Sequence, residues 1–82
     1  MTLKNAVNEL MDFAKVHEVD VHTAYAKIAY EIKTGERDFM TMAELDEAKA
    51  FVDENYDVVV EARKSGNDAD YDTALHLWGK EN

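Results

Sequence analysis

Two stretches of this chain hold residues whose types could bind a metal. His17-Glu18-Val19-Asp20-Val21-His22 approximates the H-E-x-x-H helix of zinc sites, in which the histidines stand at i and i+4 and share one helical face. Here they are five apart, which turns them about 140° from each other on a helix. Asp20 between them also reads as a helix start rather than a helix interior. Asp68-Ala69-Asp70-Tyr71-Asp72 begins like a calcium loop. Its sixth position is Thr73 where glycine makes the sharp turn, and its twelfth is Gly79 where a bidentate glutamate closes the site. Both stretches therefore read as polar residues at helix boundaries, and no metal or other cofactor is expected. Nucleophilic catalysis has little to work with: there is no cysteine, and Ser65 is the only serine. Carboxylates are plentiful, but abundance on an acidic surface is not a site, since general acid–base work needs a cleft that shifts a pKa. No glycine-rich phosphate loop is present. The expectation is a protein that is not an enzyme.

What remains is recognition. The 82 residues carry 18 acids against 9 bases, a net charge of −9. The charge is uneven: residues 1–35 hold five acids and four bases, residues 36–82 thirteen acids and five bases. Such a surface repels phosphate backbones and favours a basic partner. Asp46, Asp53, Asp57 and Glu61 would lie in one row if the helix that carries them is continuous, so they are the candidate steering residues. An apolar anchor should accompany them. Most of the aromatic residues fall on core-facing stripes, but Tyr30 lies off its stripe. It is a candidate contact residue, together with Trp78, or with Tyr56 should Trp78 be the better covered of the two.

The elements that must position these residues are all helical. Apolar spacing follows a period of 3.6 throughout, there is no proline, and each of the three glycines follows a helical stretch. The spacing predicts a single domain over 1–82, an all-α bundle of about four helices around a long central one. The centre is Met40 to Lys64. Thr41 and Glu44 form a capping box, and Met40 and Leu45 stand at the positions of a hydrophobic staple. Leu45, Ala48, Val52, Tyr56 and Val59 follow as one stripe, with Phe51, Asn55, Val58 and Ala62 beside it. One helix, bent if need be, is the preferred reading; the alternative is an interruption at Asn55, with Asp57 capping a new segment. Before it, Thr2 caps a helix to about His17, with Leu3, Val7, Leu10, Ala14 and His17 inward. Asp20 caps a second from Val21 to Thr34, with Val21, Tyr25, Ile28 and Ile32 inward and Gly35 at its end. Phe39 is the expected anchor of the connection to the long helix. A last helix runs from Tyr71 to Trp78 and stops at Gly79. Apolar runs reach three residues, far from the ~20 of a membrane span. The absence of cysteine fits a reducing compartment.

The opening M-T-L-K-N-A-V-N-E-L-M-D-F-A-K, the length and the acidity resemble the small rapid-lysis accessory proteins of T-even bacteriophages. The likeness extends over the whole chain rather than residing in a motif, so it assigns no site residue. It implies a co-antiholin of the host cytoplasm that binds the cytoplasmic N-terminal part of the phage holin. The holin would recruit it to the inner membrane, where it would support a periplasmic antiholin in delaying lysis. The acidity alone fits a second class as well, a phage decoy that mimics DNA and blocks a host nucleic-acid enzyme.

Overall fold

Thr2 opens the first helix as its spacing predicts: its Oγ1 accepts the Asn5 N–H at 3.1 Å. The computed structural model describes residues 1–81, with side chains through residue 80, and among them are four helices and no strand. They are α1 Leu3–Val16, α2 Val21–Lys33, α3 Met42–Ser65 and α4 Ala69–Glu81. The chain gathers into two compact units, Met1–Ala50 and a second beginning at Phe51. None of the helices is long and apolar enough to cross a membrane.

In the first unit α1 packs on α2. The turn between them is a Schellman motif, in which the amide two residues past the helix cap bonds back to the third residue from its end. Val19 N–H reaches the Ala14 carbonyl at 3.0 Å and Glu18 N–H the Lys15 carbonyl at 3.3 Å. Glu18 takes the left-handed conformation that glycine usually fills, with φ at +54°. Asp20 then caps α2, its Oδ1 accepting the Thr23 N–H at 2.7 Å. The buried residues of this pair are Ala6, Val7, Leu10, Met11 and Ala14 on α1 and Ala24, Ile28 and Ala29 on α2. Val21, Tyr25 and Ile32 are only half-buried. The buried face of α2 is thus turned toward its alanines, whose short side chains let two helices approach closely.

The connection from α2 to α3 departs from expectation. Phe39 is 54% exposed, and Met40, at 3%, is the residue that enters the core. Phe39 lies instead against the Arg37 guanidinium, 5.1 Å from its ring centre. The capping box forms as predicted: Glu44 accepts the Thr41 N–H at 2.8 Å and Thr41 Oγ1 the Glu44 N–H at 3.2 Å. Leu45, the other half of the staple, is fully buried.

The helix α3 is not one regular helix. Asn55 has φ −127° and ψ 29°, outside the helical region, and two helical segments meet there. Its side-chain Nδ2 donates to the Phe51 carbonyl at 3.2 Å, an acceptor that the regular ladder assigns to a backbone amide. Asparagine competes with the backbone in this way. In the second unit Phe51, Val52, Val59, Ala62, Tyr71 and Trp78 are buried. The Phe51 ring stacks with Tyr71 at 6.1 Å and meets Trp78 edge-on at 5.6 Å. The first segment closes its stripe as read, with Leu45, Ala48 and Val52 buried. Beyond the break Tyr56 leaves the stripe and is 49% exposed. Gly66, at φ +73°, ends the helix by donating to the Ala62 carbonyl at 2.9 Å. The last helix starts two residues earlier than its spacing suggests, where Asn67 Oδ1 accepts the Ala69 N–H at 3.1 Å. It also continues through Gly79, which lies inside α4 rather than at its end.

Candidate functional site

An open groove of about 740 Å³ lies beside α2 in the first unit. Phe13 and His17 from the end of α1, His22, Thr23, Ala26, Lys27, Tyr30 and Glu31 from α2, and Glu36 from the following loop line it. Local sequence dictates this arrangement. Phe13 and His17 are four apart on α1, so their rings meet on one face, stacked at 4.1 Å with 28° between planes. Thr23, Ala26 and Tyr30 follow steps of three and four along α2 and share a face. Ala26 has the smallest side chain of the three and is exposed. The Schellman turn brings α2 back against α1 within four residues, and this sets the two faces side by side.

Arg37 holds one edge of the groove in place. Its side chain is 13% exposed and bonds Glu31 at 2.9 Å and Glu9 at 3.3 Å. Its guanidinium lies over the Phe13 ring at 5.7 Å as well as over Phe39. Glu31 is therefore committed within the protein, and Glu36 and Lys27 are the other charged groups of the lining. The groove offers aromatic and methyl surface with one acid and one base at its margins. That combination suits an apolar side chain flanked by charge.

The residues singled out from the sequence are scattered. Tyr30 is 65% exposed and stands in the groove wall. Trp78 is not available as a surface anchor: it is 9% exposed, packed on Phe51 as core. Tyr56 is the less covered of that pair. The continuous helix that would set Asp46, Asp53, Asp57 and Glu61 in one row is interrupted. All four are exposed, but the helical register that would align them is lost at Asn55, between Asp53 and Asp57. Asp46 lies in the first unit and the other three in the second. Asp46 moreover accepts the Tyr25 hydroxyl at 2.5 Å, which ties the first turn of α3 to α2 and holds the Tyr25 phenol above its ordinary range. His17 and His22 both line the groove. Among the described residues no group of three or more His, Asp or Glu could hold a metal. Asp68, Asp70 and Asp72 sit at the start of α4, where negative charge suits the helix dipole. Sequence reasoning missed Phe13, His17, Ala26 and Arg37 as a cluster. The i, i+4 spacing of Phe13 and His17 was its one legible signal.

Fold and site together describe an all-α chain with an open, aromatic-walled groove and no convergent set of metal ligands among the described residues. No protein-family model matches the chain, and neither a curated protein nor a solved structure matches it.

Proposed function

We propose that this chain is a partner-binding accessory protein of the lysis-inhibition class, a co-antiholin and not an enzyme. In this reading it works in the host cytoplasm and binds the cytoplasmic N-terminal part of the phage holin. Binding favours the untriggered holin, and lysis is delayed by population shift: a ligand holds an equilibrium only by its differential affinity for the two states. The resemblance of the whole chain to the T-even rapid-lysis accessory proteins supports this partner. The observation that carries a binding role is Tyr30, a large aromatic ring left 65% exposed in the wall of an open groove. Tyrosine in such a place is a favoured interface anchor. The acidic surface suits a basic partner segment. The decoy reading asks for acids at phosphate-like regularity, and Asp46, Asp53, Asp57 and Glu61 offer only one short series, with a non-helical residue at Asn55 within it. Capture of tagged protein from infected cells separates the two. Recovery of the membrane holin is the expected result; recovery of a host DNA or RNA enzyme without holin overturns the proposal.

A further inference from the structure

We infer that the groove beside α2 is the docking site for a short, basic, amphipathic peptide segment. One large apolar side chain of that segment seats on Ala26, between the Phe13–His17 stack and the Tyr30 ring, and a neighbouring lysine or arginine meets Glu36. This deepens the holin-binding reading and rests on it for the partner's identity, though not for its chemistry.

Shape argues for the apolar side chain. The lining combines the Phe13, His17 and Tyr30 rings with the Ala26 methyl group, in a groove of about 740 Å³, a size that takes one or more side chains rather than a single ion. Charge argues for the basic flank. The unit that contains the groove, Met1–Ala50, holds ten acids against six bases. It attracts cations and repels acidic peptides and nucleic acid. The lining also sets a polarity. Lys27 repels a cation at its own edge, and Glu31 is neutralised by Arg37 at 2.9 Å. Glu36, exposed in the loop after α2, is then the acid that a partner cation can pair with. Aromatic rings with an adjacent carboxylate also favour the alkyl stem and charged head of lysine or arginine.

The test measures binding of the full chain to two probes: a synthetic peptide of the holin's cytoplasmic N-terminal segment, and a basic amphipathic peptide of leucine and lysine with one tryptophan. Ala26→Gln adds bulk to the lining without changing charge, and Tyr30→Ala removes one of its rings. Both positions are exposed on α2, so circular dichroism should show both variants folded. Each should weaken binding of the holin peptide at least about tenfold, and Glu36→Lys should weaken it while leaving helicity intact. If the wild type binds the holin peptide and both groove variants bind within about twofold of it, the groove is not the site, although the holin reading stands. If the wild type does not bind the holin peptide, that reading falls and the leucine–lysine peptide decides the groove. Binding that is lost in Ala26→Gln keeps the inference; binding that is absent, or unaffected by the substitution, overturns it.

Discussion

Arg37 does for the loop before α3 what an apolar anchor does elsewhere. Its guanidinium reaches two carboxylates and lies against two rings, with its side chain 13% exposed. Exposed ion pairs contribute little alone, but one cation serving four partners in a largely covered site contributes more. Arg37→Ala should cost about 1–2 kcal/mol in urea unfolding, and Glu9→Gln should cost far less. Equal costs would mean that the Glu9 pair, and not the cluster, does the holding. Tyr25 gives a second residue-scale expectation. Its hydroxyl donates to Asp46, which raises its pKa above the ordinary value of 10.0. A group whose folded pKa is raised contributes stability that is fully present below the unfolded value and lost as pH climbs through the folded one. Thermal midpoints should therefore fall above about pH 10, and Tyr25→Phe should flatten that alkaline slope. Asp20 and Glu44 act at the other end. Asp20 is lowered chiefly by the Thr23 amide, and Glu44 chiefly by the N-terminal ammonium at 2.8 Å. Their contribution is present above the ordinary carboxylate range and is lost as pH falls through the depressed values.

At the scale of elements, two glycines that look alike in sequence do opposite things. Gly66 ends α3 at φ +73°, where a side chain is strained, whereas Gly79 sits inside α4 with open space where a Cβ would stand. Gly66→Ala should destabilise by about 1 kcal/mol, and Gly79→Ala should stabilise by up to about 0.8 kcal/mol. Urea midpoints of the two variants check the pair; a loss of stability in Gly79→Ala would place the end of α4 at that glycine after all. The same scale explains Asn55. Its amide donates to the Phe51 carbonyl at 3.2 Å, at a residue whose backbone leaves the helical region, and neither proline nor glycine stands there. Tyr56, the next residue, is 49% exposed.

Over the whole molecule, charge is the feature that reaches furthest. Thirteen of the eighteen acids follow residue 35, and an anionic surface of this kind accelerates encounter with a basic partner while destabilising itself by repulsion. Asp53 and Asp57 are both exposed, so Asp53→Lys with Asp57→Lys should keep full helicity. If the proposed holin partner is the right one, it should slow association with that partner's cytoplasmic segment by about three- to tenfold at low salt and flatten the salt dependence, and lysis of infected cells should come earlier. Unchanged rates in a folded double variant would make these acids solvated surface only and move the search for the interface to α1 and α2.

The caps were legible because they are written within four residues of chain. Thr2, Asp20, the Thr41–Glu44 box and the left-handed glycines at 35 and 66 each follow from local hydrogen-bonding needs. Val7, Leu10, Ile28, Leu45, Val52 and Val59 were legible as core because burial follows helical period. Local spacing could not decide between competitors that satisfy the same rule. Phe39 and Met40 are both apolar and adjacent, and only the position of Arg37 showed which one turns outward. Trp78 and Tyr56 are both amphipathic rings on a stripe, and the kink at Asn55 together with the Phe51 ring determined which is covered. The groove was hidden for the same reason. Its residues come from two helices and a loop, and their meeting depends on how tightly Ala24 and Ala29 let α2 close on α1, a packing distance that no spacing along the chain records.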